Sequence, residues 1–165
     1  MDNKKLTFSA LLIALGTMTG HLIYIPVGVA KAFPVQHLIN ILSAVLLGPA
    51  YAVWNAFAIS LLRNMLGTGS LLAFPGSMIG ALIAGLLYQK FKEQRWALAG
   101  ELIGTGLLGA VAAYPIARFL MGSSSAVFFF VIPFSLSAAG GAVIAYLFLK
   151  AVEKADSLTF IEDLN

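Results

Sequence analysis

The sequence predicts an all-α, polytopic integral membrane protein with six transmembrane helices and both termini in the cytoplasm. Of its 165 residues, 60% are apolar and 10% are charged, whereas soluble domains average roughly 45–50% apolar and about 25% charged residues. The mean hydropathy is +0.93. These values exclude a soluble fold, and six crossings of about 20 residues each leave no room for a separate soluble domain.

Six apolar segments are predicted as the spans of a single membrane domain, residues 1–165. The low-charge run over 36–66 is too long for one crossing at about 1.5 Å per residue, and Gly48-Pro49 within it is typical of a helix end followed by a helix start. The first segment has no suitable cleavage site, so it is interpreted as a retained span rather than a signal peptide. The predicted spans are 6–25, 36–48, 50–66, 71–88, 97–119 and 126–149.

The ten Lys and Arg residues set the predicted orientation. Cytoplasmic loops are enriched in these residues, and six spans place seven of the ten on one side with both termini, whereas five spans divide them six against four at best. The seven are Lys4, Lys5, Lys90, Lys92, Arg95, Lys150 and Lys154. We expect the acidic tail, residues 153–165, to be frayed and solvated.

Sixteen glycines are many for this length, and most fall inside the predicted spans. In lipid, small residues allow helices to approach closely. We therefore predict tight helix contacts at Gly100 and Gly104, which are four residues apart, and in the small-residue run over 138–142.

Several chemistries are excluded by the residues present. Without cysteine there are no disulfides, iron–sulfur ligands or cysteine zinc sites, and two histidines with one acid inside a span do not supply a metal site. No nucleophile elbow and no Walker A pattern occur, so we predict no catalytic residues, no cofactor, no metal and no hydrolysis of ATP by this chain. The charge distribution indicates membrane topology rather than nucleic-acid binding.

A small-molecule site is predicted at the outer side of the membrane, where the six-span topology gathers polar side chains and aromatic residues. His37 and Asn40 lie three residues apart on one helical face. Arg63 and Arg118 have an alternative role as interfacial residues, and for Arg63 we favour capping of the loop carbonyls around 67–69 over pairing with an anionic ligand. The candidates are Gln36, His37, Asn40, Arg63, Asn64, Phe74, Ser77, Tyr114, Phe128 and Ser135.

Glu101 is the only acid inside a predicted span. We expect it near the cytoplasmic start of the fifth helix, where its carboxylate reaches water or the basic side chains of residues 90–95. This position favours an interfacial structural role over a role in coupling.

Three stretches of the chain are distinctive. Residues 10–14 read Ala-Leu-Leu-Ile-Ala, residues 33–40 read Phe-Pro-Val-Gln-His-Leu-Ile-Asn, and residues 61–77 read Leu-Leu-Arg-Asn-Met-Leu-Gly-Thr-Gly-Ser-Leu-Leu-Ala-Phe-Pro-Gly-Ser. Together with six apolar helices in this length, they resemble the substrate-binding S component of an energy-coupling factor (ECF) vitamin transporter, and the last two are similar to the ThiW subfamily. The resemblance covers nearly the whole chain.

The resemblance implies a multi-pass protein of a prokaryotic cell membrane that captures a thiamine precursor from outside. It implies the thiazole moiety, hydroxyethylthiazole, as the ligand, and a coupling module of the transmembrane protein EcfT and two cytoplasmic ATPases as partners. Ala10 and Ala14 then correspond to the small-residue surface on which the coupling protein docks. The implied mechanism is a toppling of the whole S component in the membrane.

Two other classes of function remain open from the residues alone. Six spans also suit a self-contained secondary transporter or channel for a small neutral solute, which would transport without ATP. The glycine-rich helix faces also suit an assembly subunit, which would bind no small molecule.

Overall fold

The computed structural model describes residues 3–20, 22–27, 30–124 and 126–154, with the backbone alone at Ala30. The predicted frayed tail lies outside these residues from 155 onward. The all-α class is confirmed, with a short hairpin, β1 (Ile25–Val27) and β2 (Ala30–Ala32), as an addition. The helices are α1 (Asn3–Thr19), α2 (Pro34–Leu46), α3 (Pro49–Met65), α4 (Ala73–Phe91), α5 (Gln94–Leu120) and α6 (Val127–Lys154).

The predicted break between the second and third helices is confirmed at Gly48 and Pro49. Gly48 adopts φ +88°, a left-handed conformation that glycine adopts without steric cost. Pro49 occupies the first turn of α3, where its missing N–H removes no helical hydrogen bond. The short α2 is therefore a separate helix, and it is buried along almost its whole length.

The chain after α1 differs from the prediction. The predicted first span extended to residue 25, but α1 ends at Thr19, and the N–H of Gly20 bonds the carbonyl of Gly16 at 3.1 Å. Residues predicted as span end and loop instead pair as antiparallel strands, with Ile25 opposite Ala32. Ile25 and Val27 are β-branched residues, which favour strands. Pro26 lacks an N–H, and this is tolerated at the edge of a two-stranded sheet.

Glycines bring α4 and α5 into close antiparallel contact, as predicted for Gly100 and Gly104. A Cβ built on Gly100 would lie 2.7 Å from the backbone of Ala84, and one on Gly104 would lie 2.7 Å from Cα of Gly80. Within the predicted run over 138–142, a Cβ on Gly141 would lie 2.6 Å from the carbonyl oxygen of Pro34. These distances are shorter than real Cβ contacts, so only glycine allows the helices to pack this closely.

The fifth helix is not a regular α-helix. Two π-helical segments, Gly104–Gly109 and Ile116–Leu120, interrupt it. Each widens the turn and changes the direction in which the following side chains point. The register of α5 therefore slips beyond Gly104, which is where it passes the site described below.

The surface has the character of a membrane protein. Within the described residues, α5 and α6 are long and apolar enough to cross a bilayer, and large apolar side chains such as Leu107, Leu147 and Phe119 face outward. The start of α5 and the end of α6 meet at one end of the bundle, where Gln94 donates to Glu153 at 2.6 Å. The helix directions place all seven predicted cytoplasmic Lys and Arg residues at this end.

Candidate ligand-binding site

A cavity of about 360 Å³ lies at the end of the bundle opposite the seven basic residues. It is enclosed by the start of α2, the end of α3, the turn after α3, and the first turns of α4 and α6. Aromatic rings and polar side chains form most of its wall, together with Leu72, Ala73 and Pro133. The rings belong to Phe33, Phe130 and Phe134, and the polar or charged side chains to Lys31, Gln36, His37, Arg63, Thr68, Ser70, Ser77 and Ser137.

A buried carboxyl group with three hydrogen-bond partners lies beneath the cavity. Oε1 of Glu101 is 2.7 Å from Nδ1 of His37 and 2.9 Å from Nδ2 of Asn40. The hydroxyl of Thr105, one helical turn further along α5, lies 2.9 Å from the same oxygen. Glu101, Asn40 and Thr105 are fully buried. Only His37 reaches the cavity. We call Glu101, His37, Asn40 and Thr105 the carboxyl cluster.

The carboxyl cluster fixes the orientation of the His37 ring. Nδ2 of Asn40 can only donate, so Oε1 of Glu101 is an acceptor. With Nδ1–H of His37 donating to the same oxygen, Nε2 is the nitrogen left for a ligand. No described residue hydrogen-bonds Nε2. Glycine at position 80 makes the cluster possible, because a Cβ there would lie 2.0 Å from Oγ1 of Thr105.

A second polar chain follows the wall from Ser77 to Arg63. The hydroxyls of Ser77 and Ser60 are 3.1 Å apart, and the side-chain amide of Gln36 donates to Ser60 at 2.8 Å. The other end of that amide, Oε1 of Gln36, accepts from Nη1 of Arg63 at 2.6 Å. Nδ2 of Asn40 also donates to the carbonyl of Ser77 at 3.1 Å, which joins this chain to the carboxyl cluster.

Arg63 connects the wall to the loop that closes the cavity. Its Nη2 donates to the carbonyl of Thr68 at 3.0 Å, which confirms the predicted loop-capping role. The guanidinium also lies over the ring of Phe33, 4.7 Å from its centroid, in cation–π geometry. Although Arg63 lines the cavity, only 2% of its surface is exposed.

The expected position of Glu101 was wrong. It lies inside the bundle at 0% exposure, away from water and from the basic residues of the 90–95 region. The reason is helical phase: Glu101 shares the inward face of α5 with Gly100 and Gly104, which pack on α4. Thr105 four residues later and the glycines around Glu101 are the signals that identify this face as buried.

Six predicted site residues do not line the cavity: Asn40 lies beneath it in the carboxyl cluster, and of the other five, two have other polar roles. Nδ2 of Asn64 donates to the carbonyls of Ser60 and Ser70, which closes the turn after α3. The hydroxyl of Ser135 donates to the carbonyl of Gly106 at 3.3 Å, in the contact between α6 and α5.

The other three are aromatic residues that the structure places on outer faces or between helices. Phe74 packs on Phe57, with ring centroids 5.8 Å apart. Tyr114 is half-buried on α5. Phe128 is 69% exposed, because the 3-10 turn at the start of α6 directs Phe130 inward in its place. Several lining residues were not predicted as site residues, including Lys31, Phe33, Thr68, Ser70, Phe130, Phe134 and Ser137.

The predicted docking residues lie on an accessible face. Ala10 and Ala14 are both exposed on α1. Ala10 also borders a groove of about 390 Å³ between α1 and α3, whose other walls include Tyr51 and Trp54. The position of α1 at the side of the bundle therefore leaves these small residues uncovered.

The fold and the cavity define a class of protein: a helical membrane protein with a cavity of small-molecule size near one end of its helix bundle. The chain belongs to the ThiW family, described as thiamine-precursor transporter protein, and the match covers residues 6–155. The predicted family resemblance is confirmed. ThiW is a family of transporters. No curated protein and no solved structure matches the chain.

Proposed function

We propose that this protein is the substrate-binding S component of an ECF transporter, and that it captures a thiamine precursor built on the thiazole moiety, with hydroxyethylthiazole as the parent compound. The observation that carries the proposal is the 360 Å³ cavity, whose aromatic wall faces a row of hydrogen-bonding side chains. Its volume lies in the range of small-molecule sites, about 300–1,000 Å³.

The chemistry of hydroxyethylthiazole suits this cavity. Its flat ring can stack on Phe33, Phe130 or Phe134, and its ring nitrogen and hydroxyl match the hydrogen-bonding capacity of Gln36 and His37. Because the polar side chains are already hydrogen-bonded to one another, they meet the ligand in fixed orientations.

The arrangement of charge supports six spans with an outward-facing cavity. The cavity end of the bundle is opposite the end with seven Lys and Arg residues, and cytoplasmic loops are enriched in these residues. In this orientation both termini are cytoplasmic and the ligand enters from outside. Release into the cytoplasm then requires movement of the whole protein, driven by EcfT and two cytoplasmic ATPases.

The first test measures binding of hydroxyethylthiazole by isothermal titration of the detergent-purified protein. We expect saturable one-to-one binding, and we expect His37→Ala to weaken it about tenfold because one hydrogen bond is lost. Gln94→Ala, a polar-to-alanine change at the opposite end of the bundle, is the matched control and leaves the affinity unchanged. Unchanged affinity in His37→Ala contradicts the placement of the site, and no binding by the wild type contradicts the ligand.

The coupling role is tested separately, in liposomes. Uptake that requires ATP, EcfT and the ATPases supports the proposal. Uptake by the purified protein alone supports the self-contained transporter instead.

Ala14→Trp is expected to abolish co-purification with EcfT and to leave hydroxyethylthiazole binding intact. Ala14 is exposed on α1, and an indole on a small-residue face prevents close approach of a partner helix. Leu108→Trp places the same ring on the exposed face of α5 and is expected to retain the complex. Normal assembly of Ala14→Trp contradicts the docking surface, and loss of assembly and binding together indicates misfolding.

A further inference from the structure

We infer that the cavity prefers a precursor whose side-chain oxygen carries negative charge, such as a phosphate ester, and that Arg63 and Lys31 hold this group near the positive end of α4. The inference rests on the proposed function and specifies the form of the ligand. It also predicts discrimination against thiamine, whose thiazolium ring is a cation.

The charged side chains among the described residues of the lining are basic. Lys31 and Arg63 both line the cavity, and no Asp or Glu occurs among the described residues that line it. Glu101 is the acid closest beneath it, but the oxygen that it directs at His37 already has three partners and the carboxyl group is fully buried. A ligand in the cavity therefore meets two cations and no carboxylate.

The hydrogen bonding of Arg63 within the protein is incomplete. A guanidinium has five N–H donors, and two of them bond Gln36 and Thr68, both through neutral oxygens. Its Nε is buried without a hydrogen-bond partner, and no described carboxylate lies within ion-pair distance. Buried charges in proteins are ordinarily paired, so a 98% buried arginine without an acid in its surroundings points to an anionic partner that the ligand supplies.

The N-terminus of α4 lies at the cavity, where Leu72 and Ala73, at the start of this 19-residue helix, belong to the lining. The N–H groups of Ala73 and Phe74 already bond the carbonyls of Ser70 and Leu71, so the helix favours an anion through the field of its dipole rather than through direct hydrogen bonds. Ser70, in the turn that precedes the helix, adds a hydroxyl to the same wall. The electrostatic potential in the cavity is therefore positive, with contributions from Arg63, Lys31 and the start of α4.

The test compares hydroxyethylthiazole, its phosphate ester, thiamine and inorganic phosphate by isothermal titration of the full-length protein in detergent. We expect the phosphate ester to bind at least tenfold more tightly than the neutral parent, and thiamine to bind more weakly than either. Arg63→Gln is expected to remove the preference for the ester. Arg118→Gln, an exposed arginine at the same end of the bundle, is expected to keep it.

Lys31→Gln keeps the test informative if Arg63→Gln fails to fold, because Lys31 is exposed. It is expected to reduce the preference severalfold. Equal affinity for ester and parent, tighter binding of the parent, or a preference that Lys31→Gln leaves unchanged overturns the inference. Binding of inorganic phosphate in an Arg63-dependent manner, without binding of either thiazole, supports the anion site and refutes the proposed thiazole ligand.

Discussion

Glu101→Ala is expected to destabilise the protein by about 3–5 kcal/mol and to abolish ligand binding. The substitution leaves a cavity in place of a fully buried side chain and removes the only described hydrogen-bond partner of Nδ1 of His37. Asn40 and Thr105 keep their bonds to the carbonyls of Ser77 and Gly76. For a chain of this size the change corresponds to about 10 °C in the midpoint of thermal unfolding. Thermal unfolding in detergent and isothermal titration measure the two effects.

Two variants separate the roles of charge and hydrogen bonding at this position. Glu101→Gln keeps an acceptor oxygen for the three donors, so most of the stability is expected to return. Glu93→Ala removes an exposed acid and is expected to change the midpoint little, since exposed ion pairs contribute little. A Glu101→Ala protein with wild-type stability and binding contradicts the carboxyl cluster as described.

Gly104→Val is expected to have the second large effect, a loss of about 1–3 kcal/mol from overpacking. Its Cβ would lie 2.7 Å from Cα of Gly80 and 3.1 Å from the carbonyl oxygen of Ile79. These are backbone atoms, so α4 and α5 must separate. Because Gly80 also borders Glu101 and Thr105, the displacement reaches the carboxyl cluster and is expected to weaken ligand binding as well.

Leu107→Val is the matched control for Gly104→Val. Leu107 lies in the same π-helical segment but is 49% exposed, so it tests the cost of a β-branched residue in this segment without a new helix contact. We expect the midpoint to fall by several degrees for Gly104→Val and to remain nearly constant for Leu107→Val. Equal effects of the two variants contradict a packing role for Gly104.

Features governed by local chemistry could be predicted from the sequence. Gly48 and Pro49 separate α2 from α3 because one adopts positive φ and the other suits a helix start, and both preferences belong to the residues themselves. The clustering of Gln36, His37 and Arg63 could also be predicted, because it follows from which ends of the helices lie together.

Features that depend on helical phase could not be predicted. The inward position of Glu101 depends on which face of α5 meets α4, and the π-helical segments that follow it shift the register in a way that regular periodicity does not reveal. The same limit applies to Phe128 and Phe130: adjacent aromatic residues are equivalent by composition, and only the 3-10 turn directs one outward and the other into the cavity.

The hydrogen-bonded chain from Arg63 to Glu101 links affinity to folding. Gln36 and His37 are each held by partners within the protein, so a ligand need not immobilise them, a step that otherwise costs about 0.5–1.5 kcal/mol for each side chain. The entropy of ordering the site is lost when the chain folds rather than when the ligand arrives. Substitutions that loosen this chain are therefore expected to reduce stability and affinity for the proposed ligand together, because both depend on the same preorganised interior.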